Sequence, residues 1–254
     1  MDITKAVNGP VAFKAIRWLV GLFSPRMDVV GWETVPDEPV IFVGNHAQMY
    51  GPIACELYMP EQVYIWCAGQ MMELKAVPAY AFEDFWSKKP GCIRWFYRVL
   101  SYLIAPLSVL LFNNARTIAV HRDKRILTTF RQTVSHLQDG HSVVIFPEHN
   151  KPFNHIVHEF QNRFIDLAKL YYRRTGKELA FVPIYVAPKL GKLCLGEPIR
   201  FCAAADIEQE RTRICTGLMD AVTDMTQKLP EHTVVPYPNV PKRCYPTNRM
   251  EEME

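Results

Sequence analysis

The sequence lacks the cysteine patterns that mark disulfide scaffolds and structural zinc sites. Its seven cysteines are an odd number, they are scattered along the chain, and no two of them form a CxxC pair. A disulfide framework needs paired cysteines, and zinc sites in small domains use closely spaced cysteine and histidine ligands. We therefore expect neither, and we expect the protein to occupy a reducing compartment such as the cytoplasm.

The chain also lacks a strong excess of charge of either sign. Its formal net charge is +3 over 254 residues, with 29 basic and 26 acidic side chains. Nucleic-acid-binding domains carry clustered basic patches or stripes, and the basic residues here are spread evenly. The sequence therefore predicts no nucleic-acid partner, although a weak attraction to an anionic surface is compatible with the charge.

Signal-peptide and membrane-spanning patterns are missing as well. Asp2 precedes the first lysine, and Lys14 and Arg17 interrupt the apolar stretch that runs to Phe23. The uncharged stretch Val99–Phe112 is fourteen residues long, and at about 1.5 Å per residue it spans roughly 21 Å as a helix. The hydrocarbon core of a bilayer is roughly 30 Å thick, so we do not expect this segment to cross a membrane.

Two segments nevertheless have the composition of membrane-surface helices. In the first, at 11–23, apolar residues recur at helical spacing beside Lys14 and Arg17. In the second, at 92–112, basic and aromatic residues precede the uncharged stretch, as they do in segments that lie in one leaflet. An ordinary surface helix packed on the core is the alternative for the first segment, and a fully buried hydrophobic hairpin is the alternative for the second. The apolar residues that recur at helical spacing in the first segment are Val11, Ala15, Trp18, Leu19 and Leu22.

Short Val/Ile/Phe runs alternate with amphipathic stretches in the rest of the chain. This alternation predicts an α/β fold with a mostly parallel or mixed central sheet and helices on both faces. We expect an amphipathic N-terminal segment at 1–30, an α/β domain at 31–229, and a proline-rich tail at 230–254 that packs on the domain and frays at its end. Further predicted elements are strands at 116–122, 142–146, 180–186 and 192–201, a helix at about 154–175 that ends before Gly176, and a last helix that begins near Asp206 and Gln209.

Two of the predicted strands end in side chains that can do chemistry. The run Val40–Gly44 leads into Asn45-His46, and the run 142–146 leads into Pro147-Glu148-His149-Asn150. Open α/β sheets bind their ligands at the carboxyl edge of the strands. The two strand ends therefore suggest one site that is lined by an imidazole and a carboxylate.

Four blocks in fixed order resemble the glycerolipid acyltransferases typified by 1-acylglycerol-3-phosphate acyltransferase. Across residues 38–200 the chain is similar to that family, whose blocks read NHxxxxD, a strand ending in arginine, FPEGTRS and a Val-Pro-Ile/Val strand. The corresponding blocks here are Asn45-His46, the strand ending at Arg122, Phe146-Pro147-Glu148 and Val182-Pro183-Ile184.

The resemblance implies transfer of a fatty acyl group from acyl-CoA or acyl carrier protein to the hydroxyl of a lysophospholipid such as 1-acylglycerol-3-phosphate. His46 is then the general base and Arg122 binds the acceptor phosphate, because a guanidinium pairs well with phosphate oxygens. Glu148 is expected to orient Arg122 or to accept an acceptor hydroxyl. Asn45 and Pro183 belong to the implied substrate site. No bound cofactor is implied, and the location is peripheral, on the inner face of the membrane.

The chain departs from the family pattern at two places. Gly51 stands where the family has the aspartate that fixes the histidine tautomer, which leaves open whether another carboxylate replaces it and whether the protein is active. Glu56 is the nearest candidate, with Glu73, Glu83 and Asp84 as others. In the third block His149-Asn150-Lys151 replaces Gly-Thr-Arg, so Lys151 is expected to supply the positive charge and His149 a second donor. Both residues are therefore predicted to bind the substrate.

Three other interpretations follow from the same residues. Loss of the aspartate favours a non-catalytic lipid-binding relative that keeps the pocket and the membrane-facing surface. The cluster His149, His155, His158 and Glu159 lacks the i, i+4 histidine pair of helical zinc sites, so we predict no metal. An esterase with an unrelated nucleophile is disfavoured, because no GxSxG sequence occurs and neither Cys55 nor Cys67 has an assigned base.

Overall fold

The apolar run at 40–44 forms β2 (Val40–Gly44), and every residue of this strand is buried. The computed structural model describes residues 9–87, 89–121 and 123–249, with side chains from residue 11 onward. The chain divides into two compact units. The larger unit is formed by the described parts of Ser24–Ile65 and Phe130–Glu254, and the smaller by those of Met1–Phe23 and Trp66–Thr129.

The larger unit is built on a mixed sheet in the strand order β1-β9-β8-β2-β5-β3, with β10 beside β8. β2 is parallel to both of its neighbours, whereas β9 and β10 are antiparallel to β8. This arrangement confirms the predicted α/β class. The strands are β1 (Asp28–Val30), β2 (Val40–Gly44), β3 (Val63–Ala68), β5 (Ser142–Ile145), β6 (Glu148–Pro152), β7 (His158–Phe160), β8 (Ala180–Ala187), β9 (Lys192–Leu195) and β10 (Ile199–Arg200), and the helices are α2 (Tyr50–Tyr58), α6 (Asp166–Thr175) and α7 (Ile207–Lys228), with most of α5 (Ile126–Gln138).

Parallel pairing brings the two chemically interesting strand ends to one edge of the sheet. Val43 of β2 is in register with Ile145 of β5 on one side and with Pro183 of β8 on the other. Because the strands are parallel, the residues that follow them leave the sheet side by side. The predicted juxtaposition of the two strand ends is therefore confirmed.

The helix ends of this unit follow the predicted capping chemistry. Asp206 caps α7, because its carboxylate accepts hydrogen bonds from the backbone N–H groups of Glu208 and Gln209. Gly176 ends α6 in the left-handed region at φ 72°, and its N–H donates to the carbonyl of Tyr172. Ile214, Leu218 and Val222 form the buried stripe of α7.

The predicted helix at 154–175 is wrong in its first half. Residues 148–160 form a β-hairpin of β6 and β7, and α6 begins only at Asp166. The turn is set by Asn154, whose side-chain oxygen accepts hydrogen bonds from the backbone N–H groups of Ile156 and Val157. Ile156 and Phe160 are buried as expected, but they reach the core from a turn and a strand, so their four-residue spacing does not reflect a helix.

The smaller unit is dominated by one long helix. It contains α1 (Gly9–Phe23), α3 (Val77–Ala81), α4 (Gly91–Asn114), the end of β3 and β4 (Thr117–Val120), which pairs with β3. The predicted strand at 116–122 is thus confirmed over its central residues. Val77, Ala81, Ala105 and Val109 form the core of this unit.

Both α1 and α4 expose apolar stripes. Trp18 is 67% exposed and Phe23 is 84% exposed on α1, while Trp95 is 68% and Leu103 71% exposed on α4. The alternative of a buried hairpin at 92–112 is wrong, because this segment lies in one continuous and largely exposed helix. The choice between a membrane-surface helix and an ordinary surface helix at 11–23 stays open. Among the described residues, α4 is the helix that is long and apolar enough to cross a membrane by length and composition alone. The other large apolar side chains exposed on these two helices are Val11, Leu19, Leu22, Ile93, Phe96, Val99, Tyr102 and Leu107.

Candidate active site

Asn45 is a buried residue that continues the pairing of β2 with β8. It is 2% exposed, its side-chain oxygen accepts a hydrogen bond from the Val186 N–H at 2.8 Å, and its side-chain nitrogen donates to the Val186 carbonyl at 3.2 Å. The amide thus satisfies both backbone groups of one residue of β8. In this structure Asn45 positions the residue that follows it, and its amide is engaged with backbone.

His46 follows Asn45 in a tight and unusual loop. The next two residues, Ala47 and Gln48, have φ angles of 45° and 56°, which side-chain-bearing residues rarely adopt. The loop closes when the N–H of Gly51 donates to the carbonyl of His46 at 3.1 Å. Backbone conformations of this kind cost about 1–3 kcal/mol each and persist where the surroundings enforce them. The chain is therefore turned back on His46 immediately after the strand.

The His46 ring lies between aromatic side chains and is oriented by backbone. Phe146 lies 5.2 Å away and Tyr237 6.0 Å away between ring centroids, both in edge-to-face contact. Burial lowers the pKa of His46 below its ordinary value of 6.5, and a hydrogen bond to the backbone of Gln48 partly offsets this. The ring is consequently neutral at pH 7 and able to accept a proton.

Among the residues that the structure describes, the His46 ring has no carboxylate partner. Glu56, the predicted replacement for the aspartate, lies on α2, and the recorded contacts of the ring are with Phe146, Tyr237 and the Gln48 backbone. At Gly51 a Cβ atom would lie 2.5 Å from the His46 carbonyl oxygen and 3.0 Å from a ring carbon of Phe146. The position where the family has aspartate thus has no room for a side chain.

Glu148 is the carboxylate of the site, and it binds backbone rather than another side chain. It is 4% exposed. One carboxylate oxygen accepts the N–H of His46 at 2.5 Å and the other accepts the N–H of His158 at 3.0 Å. Burial raises its pKa from 4.5 to about 7, against the effect of the two N–H groups, which lower it. Glu148 therefore joins the end of β2 to the β6–β7 hairpin.

The β6–β7 hairpin carries His149 and Lys151, the two residues that were predicted to bind the substrate. Both side chains contact the carboxylate of Glu159. The Lys151 Nζ lies 2.5 Å and the His149 Nε2 3.4 Å from the carboxylate oxygens of Glu159. The hydrogen bond from Lys151 is the main cause that lowers the pKa of Glu159. The Lys151 side chain is 67% exposed, so a surface ion pair of this kind can exchange Glu159 for another anion at little cost.

His158 and Tyr237 belong to the site, although the sequence did not predict them. The Tyr237 ring lies 5.9 Å from the His158 ring and 6.0 Å from the His46 ring, between centroids. Burial lowers the pKa of His158, with a further contribution from His149. The hairpin places His158 here, and the sequence offered only its position in a histidine-rich stretch as a signal; for Tyr237 it offered none.

Two further residues were predicted for the substrate site, Arg122 and Pro183. Arg122, the expected phosphate ligand, lies outside the described residues. Pro183, which the resemblance assigns to the substrate site, is buried inside β8 beside Val43 of β2. The opposite side of β8 is free of ladder pairing at this point, because the β10 pairing ends at Phe181 and the β9 pairing begins at Ile184. The missing N–H of proline therefore costs no ladder hydrogen bond.

Among the described residues, no group of three or more His, Cys, Asp or Glu side chains is placed to hold a metal ion. The seven cysteines are free thiols. Burial raises the pKa of the Cys67 thiol to about 11 and that of Cys215 to about 12. Neither thiol is therefore an activated nucleophile.

No protein-family model matches the chain, and no curated protein matches it. Among solved structures, the chain is similar to the 1-acyl-sn-glycerophosphate (LPA) acyltransferase PlsC from Thermotoga maritima. The sequence identity is 16%, the TM-score is 0.43, and the match covers 85% of this chain and 84% of that chain.

Reintroducing the aspartate by Gly51→Asp is expected to destabilise the protein. Its Cβ would collide with the His46 carbonyl, so we expect a loss of about 1–3 kcal/mol or more in the free energy of unfolding. Gly91→Asp is the matched control, because a Cβ at Gly91 meets nothing within 4 Å. Urea unfolding of both variants checks this, and a Gly51→Asp protein as stable as wild type would contradict the crowding seen at this position.

The ionisation of Glu148 is expected to make stability depend on pH. Between its ordinary pKa of 4.5 and the folded value of about 7, the folded protein binds a proton that the unfolded chain has lost. The free energy of unfolding therefore falls as pH rises through this window. Glu148→Gln cannot ionise at this position and serves as the reference. Compared with it, the free energy of unfolding of wild type is expected to fall from pH 4.5 to about 7 and to show no further change above that pH. Urea unfolding at pH 4.5, 6 and 8 measures this, and a wild-type advantage that grows with pH would show that the two N–H groups dominate.

Proposed function

We propose that the protein is an O-acyltransferase that moves a fatty acyl group from acyl-CoA or acyl carrier protein to the hydroxyl of a lysophospholipid such as 1-acylglycerol-3-phosphate. The observation that carries the proposal is the placement of a neutral, oriented His46 at the carboxyl end of β2, joined through Glu148 to the end of β5. These are the residues of the first and third blocks that resemble the glycerolipid acyltransferases. The acyl donor is a co-substrate, and no bound cofactor takes part.

His46 acts as the general base in this proposal. The acceptor hydroxyl oxygen attacks the thioester carbonyl carbon, and His46 takes the hydroxyl proton as the new C–O bond forms. The C–S bond then breaks, and the proton passes from His46 to the leaving thiolate, so an ester and a thiol are released and the imidazole is neutral again. A positioned base of this kind contributes typically 10²- to 10⁴-fold to the rate.

The backbone of Gln48 takes over part of the role of the missing aspartate. The hydrogen bond to Gln48 fixes one ring nitrogen as a donor and leaves the other free to accept a proton. Unlike a carboxylate, a peptide group carries no full charge, so it stabilises the imidazolium less. The N–H of His46 is bound by Glu148, which removes it from the donors available to a tetrahedral oxyanion.

Acceptor binding is assigned to the basic side chains of the second and third blocks. We infer that Lys151 exchanges Glu159 for the acceptor phosphate, since the Lys151 side chain is 67% exposed. Arg122 is the second proposed phosphate ligand, from the family resemblance alone. His149, which neighbours Lys151 and contacts the same carboxylate, adds a hydrogen-bond donor to this group.

We further infer that α1 and α4 lie on the inner face of a membrane, so that the protein is peripheral and faces the cytoplasm. Soluble monomers rarely expose contiguous apolar stripes of this size. Two basic residues accompany the α4 stripe: Lys89, just before α4, lies over the ring of Tyr97, and Arg98 of α4 lies over the ring of Phe82. Basic and aromatic residues of this kind suit the headgroup region of an anionic bilayer.

The second candidate function is a lipid-binding protein without catalysis. It is favoured by one observation, which is that no carboxylate contact to the His46 ring is recorded among the described residues. Such a protein would bind the lysolipid at the same surfaces but would not turn over a thioester.

An acyl-transfer assay separates the two candidate functions. We expect wild type to transfer radiolabelled acyl groups from acyl-CoA or acyl carrier protein to at least one member of a lysolipid panel. His46→Ala is expected to lower the rate by about 10²- to 10⁴-fold, while the control His136→Ala, on α5, retains it. Full activity of His46→Ala contradicts the mechanism. A wild type that binds lysolipid vesicles but transfers nothing supports the lipid-binding alternative.

Membrane binding is tested by substitution in the exposed stripe. Burial of one large apolar side chain is worth about 1.5–3 kcal/mol, so Leu103→Glu is expected to weaken binding to vesicles of phosphatidylcholine and phosphatidylglycerol by tenfold or more. Tyr172→Glu on α6, which is 40% exposed, serves as the control and should bind like wild type. Sedimentation with vesicles measures the effect, and equal binding of Leu103→Glu and wild type would exclude this face as the contact.

A further inference from the structure

The proline-rich segment at 230–249 is fastened to the larger unit at both of its ends, and we name it the C-terminal strap. His232 is 6% exposed, and its Nε2 lies 2.8 Å from the hydroxyl of the buried Tyr185. Near the other end, the Asn248 side chain accepts the N–H of His232 at 2.8 Å and donates to the carbonyl of Thr226 at 2.9 Å. Buried polar contacts of this kind hold a segment in one place.

The middle of the strap lies against the loop that carries His46. The side-chain nitrogen of Gln48 donates to the Tyr245 hydroxyl at 2.9 Å and to the Pro238 carbonyl at 3.4 Å. Tyr237, one residue before Pro238, thereby contacts the rings of both His46 and His158. The strap thus adds an aromatic wall to the His46 site from a distant part of the sequence.

Two aromatic side chains contact the ring of His46, the candidate base. Phe146 comes from the end of β5, and its ring also faces Gly51, so it belongs to the body of the sheet. Tyr237 is supplied by the strap alone, and its ring contacts both imidazoles of the site. Its removal would open one side of His46 to solvent while the strand ends stayed in place.

We propose that Tyr237 is a specificity-determining residue that keeps water away from His46, so that the thioester is used by a lipid hydroxyl rather than hydrolysed. This inference rests on the proposed acyl transfer. Exclusion of water from an active site is a recognised means of preventing hydrolysis of a reactive group. The specific geometric basis here is the edge-to-face contact of Tyr237 with His46, made by a strap that is anchored on both sides.

The two competing reactions differ only in the nucleophile. In transfer, the lipid hydroxyl oxygen forms the new bond to the carbonyl carbon; in hydrolysis, a water oxygen does so. In both, the C–S bond breaks and the proton removed by His46 goes to the leaving thiolate, so the products are a thiol with either an ester or a fatty acid. A base that serves one reaction serves the other, and hence selectivity must come from access to the base.

The test compares hydrolysis with transfer in the full-length protein. Wild type, Tyr237→Ala, Tyr237→Phe and the control Tyr172→Ala are each given acyl-CoA with the lysolipid that wild type accepts. Thiol release measures both reactions together, and labelled ester measures transfer. We expect the ratio of hydrolysis to transfer to rise tenfold or more in Tyr237→Ala and to change less than twofold in Tyr237→Phe and in the control. Tyr237→Leu, which keeps more of the side-chain volume, replaces Tyr237→Ala if thermal unfolding shows that the latter is not folded.

The outcomes separate this inference from the proposed function. A wild type that neither transfers nor hydrolyses the thioester contradicts the proposed function. Normal transfer in wild type with an unchanged ratio in folded Tyr237→Ala overturns the inference alone. The dehydration of His46 is checked without any substrate by NMR titration of its ring, whose pKa should move upward toward 6.5 in Tyr237→Ala; an unchanged pKa there also overturns the role of Tyr237.

Discussion

The buried carboxylate of Glu148 holds the site together. It accepts one N–H from His46, at the end of β2, and one from His158, on β7. Without it, two backbone donors would be left buried and unpaired, each at a cost of about 1–3 kcal/mol. The position of the candidate base and the position of the hairpin are therefore set by the same side chain. These two contacts give a physical reason for a glutamate at position 148, although the next three residues differ from the pattern of the third block.

The parts of the fold that sequence patterns predicted are those where local pattern and burial agree. β2, β5 and β8 are continuous apolar runs because both of their faces are covered, and the Asp206 cap of α7 depends on residues within one turn. The hairpin at 148–160 was mispredicted because its determinants are not periodic. The Asn154 side chain closes the turn, and Glu148 binds a backbone group ten residues away.

The same distinction applies to the candidate site. The meeting of His46 and Glu148 followed from the parallel pairing of two predicted strands. Their contact could not be predicted, because a motif shows which side chains are present but not that Glu148 and Asn45 bind backbone. The position of Tyr237 could not be predicted from the sequence, for a stronger reason. Its place depends on contacts of the strap with Tyr185 and Thr226, which only the folded chain brings together.

In the proposed mechanism, the backbone of the loop after His46 takes over part of the role of the aspartate that the resemblance implies. Two consecutive residues in the left-handed region turn the chain so that the Gln48 backbone reaches the ring, and Gly51 fits because no Cβ occupies the space beside the His46 carbonyl. An aspartate would attract the imidazolium with a full charge and raise the pKa of the ring. A peptide dipole attracts it less, and burial then lowers the pKa. His46 is consequently neutral over a wider range of pH but is a weaker base, so in the proposed acyl transfer it would take the proton later, when the new C–O bond is more nearly formed. The same weaker base would serve hydrolysis and transfer alike, so in the proposed reaction the choice between them depends on whether water or the lipid hydroxyl reaches His46.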